Sequence, residues 1–119
     1  MEPHRLVDRS VLDSLRGNPG DPVSPVLQEV LHLYRKAAPS LLLGIRNGLA
    51  AGDGAAVERA AHSLRGSSLN VGATALAEAL TAVEDAAGRR DLEGVRTRLD
   101  DLEDLLRRTL KALEAETAP

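Results

Sequence analysis

The sequence predicts an all-α fold, an antiparallel four-helix bundle with a short additional helix at its N-terminus. Three observations lead there. Apolar residues recur at three- and four-residue spacing through most of the chain, the pattern of a helix with one buried stripe. The composition is rich in Leu and Ala, and Tyr34 is the single aromatic side chain; the core must therefore be aliphatic and carried on good helix formers. The periodic stretches are separated by short segments marked with glycine and proline, as in connections between antiparallel neighbours.

The first helix is expected over residues 6–16, where Leu6, Val7, Val11, Leu12 and Leu15 share a face, and the turn residues Gly17, Asn18, Pro19 and Gly20 end it. Asp21 or Ser24 can cap the second helix, with Pro22 and Pro25 tolerated near its first turn. Its stripe of Val26, Leu27, Val30, Leu31 and Tyr34 runs to about Ala37. Pro39 either opens a new helix or kinks this one; because the stripe resumes at Leu41, Leu42, Ile45 and Leu49, one long kinked element ending at Gly52, Asp53 and Gly54 is the favoured reading.

Asp53 is the expected cap of a third helix over about 55–70, which closes at Asn70, Val71 and Gly72. A fourth, over about 73–87, buries Leu76, Ala79, Leu80, Val83 and Ala86 and is stopped by Gly88. The last starts near Asp91 and carries Leu92, Val95, Leu99, Leu102, Leu106, Leu110 and Leu113. At about 24 residues it would be roughly 36 Å long. Its leucine stripe is read as packing within the bundle rather than as a self-association seam. Residues 116–119 are expected to fray.

A chain of 119 residues suits a single domain, residues 1–119 with an ordered core over about 6–115, able to bury roughly two-thirds of its unfolded surface. Without cysteine there are no disulfides, thiolate metal sites or Cys nucleophiles. A net charge of -3 with both signs interspersed offers no basic face to nucleic acid or anionic lipid. No apolar run approaches the about 20 residues of a membrane span, and the N-terminus lacks a signal-peptide core. A cytoplasmic monomer is the expectation.

The third helix carries the candidate chemistry. Its core stripe is Val57, Ala60, Ala61, Leu64, Ser68 and Val71, and His62 lies about 200° around from Leu64 at about 100° per residue. The face it occupies is made of Glu58, Arg59, Arg65, Gly66 and Leu69. An imidazole, with a reference pKa of about 6.5, is largely neutral at pH 7 and can attack phosphorus through one ring nitrogen. Glu58, four residues earlier, can influence the ring by a hydrogen bond that fixes its tautomer or by its charge. Arg65, three residues later, places a permanent cation beside phosphoryl oxygens on His62.

Gly66 is the more informative neighbour, because glycine within a helix costs about 1 kcal/mol relative to alanine. Its missing side chain leaves room for a partner to close over the imidazole, and an exposed Leu69 supplies an apolar contact. A lone surface histidine is ordinarily just that, and His4 and His32 are read so. The three histidines have no metal-site spacing. Ser63, Ser67 and Ser68 lack a nucleophile elbow; Ser67 and Ser68 are expected to pack or to bond to the preceding helical turn.

At these residues the sequence resembles the histidine phosphotransfer (HPt) domain family, whose signature is a histidine, a small residue, leucine, lysine, glycine and two small residues. Here it reads His62, Ser63, Leu64, Arg65, Gly66, Ser67 and Ser68. Downstream, Val71, Gly72, Ala73, Leu76, Val83 and Glu84 match the family pattern, and Tyr34 and Pro39 stand near the family's upstream Phe and Pro. The resemblance runs from about Val11 to Leu113. Arg65 replaces the usual lysine, keeping the charge and changing the donor geometry; Val83 replaces leucine.

The resemblance implies a phosphorelay intermediate without ATP-binding machinery. His62 would accept a phosphoryl group from the aspartyl phosphate of a response-regulator receiver domain, or of a hybrid histidine kinase, and pass it to another receiver. Arg65 would assist electrostatically and Gly66 give clearance, with Glu58, Arg59 and Leu69 as partner contacts. The chain would bind no cofactor or metal, the magnesium ion belonging to the receiver. Consistent with that division, the sequence has neither a phosphate-cradling Gly-rich loop nor a clustered acidic metal site. The alternative is an adaptor that binds a receiver or kinase without phosphate turnover. A kinase dimerisation region fits less well, since Ser63 stands where an acidic residue would follow the histidine.

Overall fold

In a computed structural model describing residues 6–16 and 24–116, the chain forms five helices: α1 (Arg9–Leu15), α2 (Pro25–Ala50), α3 (Gly54–Asn70), α4 (Thr74–Gly88) and α5 (Leu92–Ala115). No strand occurs among the described residues. The expected turn at 17–20, Asp21, Pro22 and His4 lie outside them.

Side-chain caps set most of the helix starts. Ser24 accepts from the Leu27 N–H with Pro25 in the first turn of α2, Asp53 accepts from Ala56 at the start of α3, and Asp91 from Gly94 at the start of α5, each satisfying an N–H that the helix cannot. α1 starts at Arg9 and not at Leu6, because Asp8 takes the capping position and accepts from the Ser10 N–H. α2 runs unbroken through Pro39, as one long element.

The three connections between the long helices use one device. A left-handed residue is followed by a residue whose N–H reaches back to a carbonyl in the helix just ended. Gly52 (φ 67°) precedes Asp53 N–H to Gly48 O at 2.8 Å, Gly72 (φ 74°) precedes Ala73 N–H to Ser68 O at 2.8 Å, and Arg90 (φ 60°) precedes Asp91 N–H to Ala86 O at 2.8 Å. This is the Schellman closure. In the third turn the left-handed residue is an arginine; Gly88, expected to stop α4, is its last helical residue.

α2 packs on α3 and α5, and α4 packs on the same two helices, so each long helix has two neighbours around one core. Leu27, Ile45, Val57, Leu64, Leu76, Leu80 and Val95 are fully enclosed there. Two glycines bring α2 close to α3: a Cβ on Gly44 would lie 3.4 Å from Ala60 Cβ, and one on Gly48 only 2.9 Å from Val57 Cγ2. An Arg46–Glu103 ion pair ties α2 to α5. The stripe of α5 faces inward, but the position predicted for Leu110 is shared with Thr109. Thr109 is fully buried, its hydroxyl donating to Leu105 O at 2.7 Å, and Leu110 is only partly covered. A threonine can enter a helical core by bonding to its own preceding turn.

Ser68 packs in the core as its place on the stripe predicts, but does not bond to its own preceding turn. Its hydroxyl crosses to α2 and shares a buried 2.8 Å hydrogen bond with the Tyr34 hydroxyl. Burial pushes the Tyr34 phenol above its ordinary 10.0, and the Ser68 bond only partly offsets it. α1 closes one end of the assembly: Asp8 N–H donates to Gly72 O at 2.7 Å. Arg9 and Arg16 both hold Glu116 beyond the last turn of α5, at 3.1 and 2.8 Å.

Gly72 and Gly52 share a left-handed backbone but not a neighbourhood. A Cβ on Gly72 would lie 2.6 Å from Asp8 O, whereas one on Gly52 meets nothing within 4 Å. Gly52→Ala is expected to cost about 1–2 kcal/mol of conformational strain. Gly72→Ala should cost more than about 2 kcal/mol, because α1 must also give way; denaturant unfolding of both variants measures the difference.

Candidate functional site

The rotation of α3 is set by Val57, Ala61 and Leu64, all fully buried. His62 is thereby turned outward, its side chain 65% exposed. Arg59 and Leu69 are exposed on the same face, and Arg65 is half-buried. A Cβ on Gly66 would meet nothing within 4 Å. Neither packing nor the helical backbone requires glycine there, in contrast to Gly48.

The ring's carboxylate partner comes from α4 and not from α3. His62 Nδ1 lies 2.8 Å from Glu84 Oε2, and Arg65 Nε donates to Glu84 Oε1 at 2.9 Å. Glu58, expected to orient the ring, instead points toward the α4–α5 turn, where its Oε1 is 3.5 Å from Arg90 Nη1. The reason is the lateral position of α4. It brings Glu84 against the side of His62 and Arg65, whereas a side chain one turn earlier on α3 meets the C-terminal end of α4 at Gly88.

Glu84 holds a carboxylate that burial pushes up, but hydrogen bonds from Arg65 and His62 and their charges outweigh that and leave it below its ordinary 4.5. It is therefore ionised at neutral pH and can only accept. At 2.8 Å the group facing it must donate, which assigns a proton to Nδ1 and makes Nε2 the nitrogen with the lone pair whenever the ring is neutral. Arg65 Nη2, 3.3 Å from Nδ1, is then a second donor facing a donor. It lies beside the ring as a charge rather than as a hydrogen-bond partner.

A polar cleft adjoins the imidazole, and an apolar groove that His62 does not line lies elsewhere along α3. The cleft is shallow, about 410 Å³, and is lined by Ala55, Glu58, Arg59, Ser63 and Glu84 together with His62. Where α1, α2 and α3 meet, the apolar groove of about 440 Å³ runs past Leu15, Val30 and Leu33 to Ser67 and Asn70. Leu33 and Leu69 are 56% and 45% exposed. His32 is exposed on α2 and joins no polar cluster. Among the described residues no group of His, Asp and Glu could hold a metal ion, and no helix is long and apolar enough to cross a membrane.

This geometry can be set beside known proteins. The Hpt domain family matches residues 29–116, which span all of α3, α4 and α5 and most of α2. The chain belongs to the Hpt domain family. Among solved structures it is similar to histidine-containing phosphotransfer protein B from Pseudomonas aeruginosa PAO1, with a TM-score of 0.83, 26% identity and 94% of each chain covered. No curated protein sequence matches it. The seven residues that resemble the Hpt signature lie in the C-terminal half of α3, with His62 and the open Gly66 on its exposed face and Leu64 and Ser68 in the core. Glu84 was visible only as part of the family pattern, because its contact joins residues 22 positions apart.

The lowered Glu84 pKa fixes a pH dependence. The unfolded carboxyl titrates near 4.5, so the stabilisation by Glu84 is present above that value and is lost as pH falls through the lower folded value. Wild type should exceed Glu84→Gln in stability by up to about 2 kcal/mol at pH 7. The gap should shrink below pH 4.5, as read by urea unfolding at a series of pH values.

Proposed function

We propose that this Hpt domain is a phosphorelay intermediate in which His62 is the phosphoacceptor. The domain is read as a single unit whose four long helices form an antiparallel bundle. The observation that carries the proposal is the 2.8 Å contact between His62 Nδ1 and Glu84 on an otherwise exposed ring. A proton held at Nδ1 leaves Nε2 as the nucleophile, without a strong base.

The donor is a receiver domain bearing an aspartyl phosphate, with its magnesium ion on the receiver side. As Nε2 attacks, the Nε2–P bond forms and the P–O bond to the aspartate breaks, its electron pair leaving with the carboxylate. The ring gains positive charge, which the Glu84 carboxylate at Nδ1 stabilises; the proton stays on the Nδ1–Glu84 axis. Return to a second receiver reverses these steps. Little covalent work falls to the protein, and positioning and electrostatics supply most of the effect.

Arg65 holds Glu84 from the other oxygen and so acts on the ring through it. Gly66 leaves the surface beside His62 low enough for a receiver to approach, and Leu69, Leu33 and Leu15 offer apolar contact to one of its helices. Arg59 and Glu58 supply charges at the rim. The family resemblance and the lack of a phosphate-cradling loop in the sequence support a carrier rather than an autonomous kinase.

Incubation with a phosphorylated cognate receiver tests this directly. Wild type should acquire an acid-labile phosphate, and His62→Gln should stay folded and unlabelled. A folded wild type that binds the receiver but takes no label would point to the adaptor reading instead. Gly66 separates stability from function: Gly66→Ala should raise stability by up to about 1 kcal/mol. Gly66→Glu should fold yet lose labelling by the receiver, through steric and charge conflict.

A further inference from the structure

We infer that Arg59, rather than Arg65, is the guanidinium that contacts a phosphoryl group on His62, and that Arg90 clears its place by holding Glu58 aside. The inference rests on the phosphoacceptor reading above and adds the residues that surround the transferred group.

The direction of helical side chains is the first reason. On an α-helix they lean toward the N-terminus, so each covers the turn before its own. Arg65 accordingly leans toward His62 and arrives on the Nδ1 side of the ring, with Nη2 3.3 Å from Nδ1 and Nε committed to Glu84. The ring itself leans over the turn containing Glu58 and Arg59. The cleft at His62 is lined by those two residues and by Ala55, Ser63 and Glu84; Arg65 and Gly66 are not among its walls. A group added at Nε2 enters that cleft on the side of the ring away from the Nδ1–Glu84 bond.

Charge is the second reason. Of the two arginines flanking His62 on its helix, Arg65 is engaged and Arg59 has no hydrogen bond or ion pair among the described residues. Its donors are free for the three phosphoryl oxygens, at the three-residue spacing that brings helical side chains together. Two carboxylates line the cleft: Glu84 is engaged by the ring and Arg65, which leaves Glu58 as the obstacle that would repel the anion.

The structure turns the Glu58 carboxylate toward the edge of the cleft, where Arg90 faces it. Its Oε1 faces Arg90 Nη1 at 3.5 Å, and its Oε2 lies over Gly88, where a Cβ would come within 3.1 Å. Arg90 is held in turn by donating to Ala87 O at 2.7 Å and by lying across Gly54, where a Cβ would be 2.8 Å from its Cδ. It does so from a left-handed backbone that a glycine would adopt without cost. Two glycines and a strained arginine thus converge on one carboxylate.

Phosphoramidate, a small donor that needs no docking surface, provides the test: the Nε2–P bond forms, the donor's P–N bond breaks and ammonia leaves. Arg59→Ala should label about ten-fold more slowly than wild type, with unchanged unfolding, a shifted phosphorus NMR resonance for the phosphohistidine, and recovery in Arg59→Lys. Arg90→Ala should also slow labelling, and Glu58→Gln in that background should restore it. Labelling of Arg59→Ala at the wild-type rate overturns the Arg59 assignment and leaves the phosphoacceptor reading standing. Failure of Glu58→Gln to rescue Arg90→Ala overturns the role given to Arg90. A wild type that takes no label from phosphoramidate or from any receiver overturns the parent reading and this one together.

Discussion

The rotation of α3 about its own axis is the constraint on which the rest of the structure turns. Val57, Ala61 and Leu64 are each fully buried, and exposing them would forfeit about 1.5–3 kcal/mol for each larger side chain. With that face fixed by the core, His62, Gly66 and Leu69 have no choice but to point away from it. Arg65 and Glu58 fall on the flank facing α4, where Glu84 and Arg90 meet them. The polar arrangement around the imidazole is thus a consequence of aliphatic packing on the opposite side of the same helix.

Much of the fold is legible in the sequence because its signals are local. Ser24, Asp53 and Asp91 sit where caps belong, and Gly52 and Gly72 where a left-handed residue is needed. Those choices are decided by backbone chemistry within one turn. The errors share the opposite character. Arg90 does the work expected of Gly88, since its side chain can bond to Ala87 O and Glu58 and so offset a backbone cost that composition alone assigns to glycine. Thr109 is buried at a place where the pattern of leucines favours Leu110.

The candidate site divides the same way. The outward histidine, the open Gly66 and the exposed Leu69 follow from helical spacing. The partner of the ring does not, because Glu58 at i−4 and Glu84 on another helix are equally plausible until α3 and α4 are placed side by side. Ser68 teaches a similar point. Its hydroxyl could bond within its own helix, and only the approach of α2 brings the Tyr34 hydroxyl within 2.8 Å. Side-chain partners across helices depend on lateral register, which hydrophobic periodicity does not carry.

Glu116 has a consequence of another kind. It is held by Arg9 in α1 and by Arg16, which caps the C-terminal end of α1, at 3.1 and 2.8 Å, so the two ends of the described chain share a single acidic clasp. Fraying at one end of the chain therefore releases the other: if the final turn of α5 opens, α1 loses both ion pairs and is left with its bond to Gly72 and its few apolar anchors. Amide hydrogens at these two sequence extremes should exchange as one cooperative unit, although more than a hundred residues separate them along the chain.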